Sequence, residues 1–157
     1  MATISEYMSG KICEQISLAL SIMDDAPKGQ LKGTKIGKAL LRNVGELEPR
    51  KMKVEEAITL IRKSEKCAIG ERVCLCLHKE APLSETVFLD ELAVGMVSAG
   101  KACFVDVDAA IANVRKYHTG PVVVSKVSGK HMEICRTWAK RCVYWNMEKH
   151  KLQCIQR

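Results

Sequence analysis

Aromatic residues are scarce in this sequence. It has 157 residues, with two phenylalanines, two tryptophans and three tyrosines, so aromatics make up 4% of the chain. Proteins that bind single-stranded nucleic acid usually stack its bases on aromatic rings. The composition leaves little for such stacking, and it argues against a protein that tracks single strands.

Long apolar runs are absent as well. A membrane-spanning helix needs roughly 20 consecutive apolar residues, and no segment of the sequence approaches this length. The first residues, MATISE, have neither the basic stretch nor the apolar stretch of a secretory signal peptide. We therefore expect a soluble cytoplasmic protein without membrane contact, in a compartment where thiols stay reduced.

The motifs of common enzyme classes are also missing. The segment GTKIGKA at residues 33–39 resembles a phosphate-binding loop, but its glycines are too close together, and Ala39 stands where a hydroxyl must bind magnesium. The sequence contains no nucleophile elbow, dinucleotide fingerprint or HExxH helix. These absences favour a non-enzymatic metal-binding or accessory protein over an enzyme.

Positive charge is concentrated in one early segment. The formal net charge is +7 and the pI is about 9.0. Residues 26–45 contain five basic residues and no acid. The five are Lys28, Lys32, Lys35, Lys38 and Arg42. Because such a surface attracts acidic groups, we predict an acidic protein partner or a redox enzyme, with nucleic acid as the alternative partner.

The periodicity of apolar residues predicts an α+β fold that is mostly helical and has a few short strands. Helices are expected at residues 4–23, 34–46, 52–64, 84–99 and 108–117, and strands at 102–107 and 121–127. The tail after Gly129 is expected to be irregular. We divide the chain into a basic helical arm, 1–51, and a cysteine-rich metal-binding core, 52–157, although one continuous domain would also fit.

Eight cysteines are far more than average composition gives, and one spacing occurs twice. Six residues separate Cys67 from Cys74, and six separate Cys135 from Cys142. Four thiols are what a zinc ion or an iron–sulfur cluster requires. Arg72 lies inside the first pair, where a cation would lower thiol pKa values and offset the charge of four thiolates. We therefore predict a metal site ligated by these four cysteines.

The spacing favours an iron–sulfur cluster over zinc. Structural zinc usually takes cysteines separated by about two to four residues, whereas a [4Fe-4S] cluster carries its ligands on separate irons and tolerates wider spacing. Gly70 is expected to let the chain curl around the metal. We predict a [4Fe-4S] protein that acts in electron transfer or as a redox accessory or sensor subunit. The alternative is a nucleic-acid-binding regulator with a structural zinc or a redox-sensing metal.

The remaining cysteines allow several roles. Cys76 could replace Cys74 as a ligand, because two thiols in a Cys-Leu-Cys segment cannot point the same way on a regular helix. Cys154 could be an additional ligand. Cys13 and Cys103 lie in apolar contexts, where free cysteines usually pack as small hydrophobic residues.

Histidines and aromatic residues lie near the same cysteines in the sequence. His78 and His131 are close enough to Cys76 and Cys135 to complete a mixed site. Trp138, Tyr144 and Trp145 collect around the second cysteine pair. Such rings can shield a cluster from water, or they can simply complete a small core.

Overall fold

The computed structural model describes residues 1–74 and 80–156. Seven helices lie in this part of the chain: α1 (Ile4–Ser9), α2 (Lys11–Asp24), α3 (Lys35–Gly45), α4 (Val54–Lys63), α5 (Asp90–Ser98), α6 (Val107–Lys116) and α7 (Val143–Lys149). The strands there are β1 (Arg50–Met52), β2 (Cys67–Glu71), β3 (Glu85–Leu89), β4 (Ala102–Val105), β5 (Val122–Val127) and β6 (Lys130–Arg136).

These strands form one six-stranded sheet in the order β1-β5-β6-β3-β2-β4. Every pair of neighbouring strands is antiparallel. The mixed α+β class expected from the sequence is confirmed. The sheet is larger than the few short strands that the periodicity predicted.

The N-terminal helical region differs from the sequence prediction at one residue. A single helix was expected at residues 4–23, but Gly10, with φ 85°, separates α1 from α2. Glycine adopts this left-handed conformation without a Cβ clash, so it ends one helix and begins the next. The prediction for α3 is confirmed, because Thr34 caps it by accepting a 3.0 Å hydrogen bond from the backbone N–H of Gly37.

Two sequence predictions in the second half are wrong. Residues 85–89 form β3 rather than the first part of the helix expected at residues 84–99. β3 lies inside the sheet and is buried on both faces, so its apolar residues are consecutive and do not alternate.

The tail after Gly129 is not irregular, because β6 pairs with β5 and β3. Ser128 and Gly129 both have positive φ and turn β5 into β6.

The segment around Gly70 does not curl as a ligand loop. Gly70 lies in β2, opposite Thr86 on one neighbouring strand and Ala102 on the other. A Cβ on Gly70 would lie 2.8 Å from the Cβ of Ala102 and still closer to the carbonyl oxygen of Lys101. Glycine is therefore needed here for close strand pairing.

One hydrophobic core includes residues from both parts of the chain. Tyr7, Ile12 and Leu40 from residues 1–51 belong to it together with Phe88 and Met147 from the later part. In the described residues, no helix has both the length and the apolar character needed to cross a membrane.

Asp90 joins three segments near one edge of this core. Its Oδ1 accepts hydrogen bonds from the backbone N–H groups of Glu65, at 2.7 Å, and Lys66, at 3.4 Å. Its Oδ2 lies 2.8 Å from Nζ of Lys130. Burial raises the pKa of this carboxyl, but the bonds from Lys130 and Glu65 outweigh burial and lower the pKa below its usual value. The carboxylate form therefore stabilises the fold.

Replacing Asp90 with asparagine should lower stability in a pH-dependent way. Asn keeps the side-chain shape and tolerates the positive φ of 51°, but it lacks the charge. We expect Asp90→Asn to cost about 1 kcal/mol at neutral pH. Because the folded pKa is depressed, the difference should shrink as the pH falls from about 4 through that lowered pKa.

Urea unfolding at pH 7 and at low pH measures this difference. Glu91→Gln is the matched control, because Glu91 also faces Lys130 but its side chain is 66% exposed. An equal loss for Asp90→Asn at both pH values would contradict the electrostatic explanation.

Candidate functional site

Three of the cysteines predicted as ligands line one small cavity. Cys74, Cys135 and Cys142 surround a space of about 40 Å³. Arg72 and Glu133, both almost fully buried, line the same cavity. Three thiols, a carboxyl and a guanidinium thus meet in the interior, although they come from distant parts of the chain.

The β6 strand supplies two of these groups. Glu133 and Cys135 are two residues apart, so they lie on the same face of the strand. On the neighbouring strand β5, Ser125 pairs with Glu133 and Val123 pairs with Cys135. Ser125 also lines the cavity. The alternation of a regular strand therefore presents the carboxyl and the thiol together.

A turn after β6 brings the third thiol back to the cavity. The backbone N–H of Cys142 donates a 2.9 Å hydrogen bond to the carbonyl oxygen of Trp138, and Cys142 is the residue that precedes α7. The indole N–H of Trp145 donates a 2.8 Å bond to Oγ1 of Thr137, which holds α7 against the end of β6. The six residues between Cys135 and Cys142 thus cross a turn instead of a helix.

Cys74 reaches the cavity from the end of β2. The backbone N–H of Arg72 donates a 3.0 Å bond to the carbonyl oxygen of Ser84, which extends the pairing of β2 with β3 by one step. Cys74 follows two residues later and faces Cys142 closely enough for the two thiols to affect each other electrostatically.

Electrostatics keep all three thiols protonated near neutral pH. Burial and the nearby thiol of Cys142 raise the pKa of Cys74 to about 12. Burial, followed by Glu133 and Cys142, raises the pKa of Cys135 well above its usual value. Burial also raises the pKa of Cys142, and this effect outweighs the hydrogen bonds from the backbone N–H groups of α7, which lower the pKa. Arg72 lowers the pKa of each thiol. A metal ion would have to displace the thiol protons to bind here.

Glu133 is a buried carboxyl whose pKa lies near neutrality. Burial raises its pKa to about 7, and a hydrogen bond from Tyr7 and the charge of Arg72 act in the opposite direction. The hydroxyl of Tyr7 donates to Oε1 of Glu133 at 2.8 Å, so α1 is tied to β6 across the cavity. The sequence analysis did not identify Tyr7 or Glu133 as part of the site. Glu133 could have been found from its position two residues before Cys135.

Cys67 lies apart from the other three. It is buried in β2, where it pairs with Leu89 and Val105, and its Sγ is 3.2 Å from Oγ of Ser64. It does not line the cavity. In the described residues, no group of three or more His, Cys, Asp or Glu side chains stands in a geometry that could hold a metal ion.

The other cysteines have separate surroundings. Cys76 lies outside the described residues. Cys154 is half-buried, with Sγ 3.8 Å from the carbonyl oxygen of Tyr144, and is not part of the cavity wall. The prediction that Cys13 and Cys103 pack as free thiols in the core is wrong, because Cys13 is disulfide-bonded and Cys103 is exposed on β4.

Of the histidines and aromatic residues that lie near the cysteines in the sequence, only some line the thiol cavity. His78 lies outside the described residues, and His131 lines a different surface, between α4 and β6. Trp138 and Tyr144 line the thiol cavity, whereas Trp145 supports it through Thr137. The aromatic cluster therefore does contact the thiol site.

A second, larger cavity adjoins the first. It measures about 750 Å³ and lies between α2, the end of β2 and Lys101. Tyr7, Arg72 and Val73 line both cavities. These three residues lie between the larger cavity and the thiols.

Comparisons with models of protein families, with curated proteins and with solved structures found no match to this chain.

Proposed function

We propose that this chain is a metal-binding accessory protein in which Cys74, Cys135 and Cys142 hold one thiophilic metal ion, zinc or ferrous iron. The observation that carries the proposal is that these three cysteines line a single buried cavity. Free cysteines do pack in protein cores as single residues. Here three come from separate elements to one cavity, beside a buried carboxyl and a buried cation. They do not stand in a metal-binding geometry in the structure, so the proposal requires these side chains to close around the ion.

Glu133 supplies the fourth donor in this proposal. Three thiolates and one carboxylate make the four ligands that zinc takes in closed sites. Arg72 offsets part of the negative charge that such a set carries, since its guanidinium already lowers the pKa of all three thiols. The hydrogen bond that the Tyr7 hydroxyl donates to Glu133 would hold the carboxylate in one orientation toward the ion.

The size of the cavity favours a single ion over a [4Fe-4S] cluster. A volume of about 40 Å³ has room for about three water-sized groups. A cubane has eight core atoms, so the side chains would have to move apart to admit one. The cluster stays the second candidate because Cys74 and Cys142 reach the cavity from irregular segments, which suits cluster ligation. In either case the metal would stabilise the fold and could give it a redox or sensing role.

Metal analysis of the purified protein tests the proposal. We expect close to one zinc or iron per chain after anaerobic purification, and a loss of most of this metal in Cys135→Ser. Cys103→Ser should retain the full metal content, because Cys103 is exposed and does not line the cavity. Circular dichroism of each variant confirms that the comparison is made on folded protein.

Cys67→Ser separates the proposed ligand set from the one that the sequence suggested. If Cys67 is not a ligand, this variant keeps its metal. Four irons and four sulfides per chain with broad absorption near about 400 nm would replace the single ion with a cluster. Absence of metal from wild-type protein, even after incubation with zinc or ferrous iron, would overturn the proposal.

A further inference from the structure

An apolar groove runs between α2 and α3. It has a volume of about 190 Å³. Ile16, Ala19 and Ile22 line it from α2, and Ile36 and Leu40 line it from α3. Most of the lining residues recur every three or four positions on each helix, so the groove follows the facing apolar stripes of the two helices.

Large apolar side chains at this groove are exposed to water. Leu18 on α2 is 63% exposed and Ile36 on α3 is 54% exposed, and both line the groove. A single exposed leucine is unremarkable on a protein surface. Two exposed side chains that flank one apolar groove form a contiguous patch, which is characteristic of a binding surface.

Positive charge surrounds the groove on the α3 side. Lys35 and Arg42 lie four residues before and three residues after Ala39, which lines the groove, so they border it on the helix surface. Lys28, Lys32, Lys35, Lys38 and Arg42 are all exposed. In the described part of the chain, no ion pair includes any of these five residues.

We propose that the α2–α3 groove binds an acidic amphipathic helix of a partner protein. An apolar groove of this kind is filled by side chains at positions i, i+3, i+4 and i+7 of a helix. Acidic residues flanking that stripe would face Lys35 and Arg42 and give both attraction and orientation.

Two other occupants fit the surface less well. A second copy of this chain would bring one basic rim against the other, and this repulsion opposes an isologous contact. Nucleic acid would satisfy the cations but has no apolar stripe to cover Leu18 and Ile36. The inference goes beyond the metal site, because α2 and α3 form the groove without any of the three thiols.

The probe is a fluorescent helical peptide of about 18 residues, five turns long, with leucine at i, i+3, i+4 and i+7 and glutamate flanking the stripe. Two control peptides keep its length: one has lysine in place of glutamate, and the other has the same composition in scrambled order. Fluorescence anisotropy with the full-length protein measures binding. We expect saturable binding of the acidic peptide alone, with an affinity that falls as sodium chloride is raised.

Variants of the protein locate the site. Ile36→Ser and Leu18→Ser should each weaken binding by about tenfold or more, since each removes a large apolar contact. Val94→Ser is the matched control, because Val94 on α5 is 44% exposed and lies away from the groove. Lys35→Glu should weaken binding, because Lys35 borders the groove on α3, whereas Lys63→Glu on α4 should leave it unchanged.

Several results would overturn the proposal. They are equal binding of the scrambled peptide, no binding of the acidic peptide up to about 1 mM, or equal effects of Ile36→Ser and Val94→Ser. A dimer that Ile36→Ser converts to a monomer would assign the groove to a second copy. Binding of a DNA duplex that depends on Lys35 but not on Ile36 would assign the surface to nucleic acid. Metal content measured on the same samples separates failure of the groove from failure of the metal site.

Discussion

Removal of the proposed metal ion with a chelator should lower the thermal stability of the wild-type protein. A ligand present at about 100 times its dissociation constant stabilises the folded state by about 2.7 kcal/mol. For a chain of this length each kcal/mol corresponds to about 2–4 °C in the unfolding midpoint. We therefore expect chelation to lower the midpoint by about 5–10 °C and zinc or ferrous iron to restore it.

The Cys135→Ser variant is the control for this experiment. Without its metal, the variant should unfold at the same temperature with and without chelator, and its midpoint should lie close to that of chelated wild-type protein. Cys103→Ser should respond to the chelator as wild-type protein does. A wild-type protein that loses measured metal without any change in its midpoint would show that the metal does not stabilise the fold.

Truncation of Phe88 should produce a loss of stability of similar or larger size. Phe88 is 0% exposed in β3 at the centre of the sheet, and it pairs with Ala68 on β2 and Glu133 on β6. Phe88→Ala removes a large buried ring and leaves a cavity, which typically costs about 3–5 kcal/mol. Urea unfolding of the two proteins measures the difference.

Phe104 provides a matched control within the same sheet. It also pairs with Ala68, from the opposite side on β4, but it is 48% exposed. The Nζ of Lys66 lies 5.1 Å from the centroid of its ring, a contact worth about 0.5–1 kcal/mol at an exposed site. Phe104→Ala should therefore cost about 1 kcal/mol or less. Equal losses for the two variants would contradict the burial that separates them.

Local residue patterns in the sequence were enough to predict those helices and strands that a characteristic residue type marks. Thr34 marked the start of α3, and the β-branched run at residues 122–127 marked β5. The same reasoning failed at residues 85–89, because a strand buried on both faces has no alternation to distinguish it from a buried helix. It also failed at Gly10, where one glycine inside a helical pattern gives no local sign that the helix will end.

The sequence by itself determined the excess of cysteine and the spacing that occurs twice, from Cys67 to Cys74 and from Cys135 to Cys142, and from these we predicted that all four thiols would meet. Only the tertiary structure decided which thiols do so. Cys67 points away because residues 67–71 form a strand whose pairing with β3 and β4 fixes the position of each residue. Glu133 joins the thiols because β6 lies between β5 and β3 and turns that face of the strand toward α1. Such long-range strand pairing depends on the packing of the whole sheet and leaves no pattern in the local sequence.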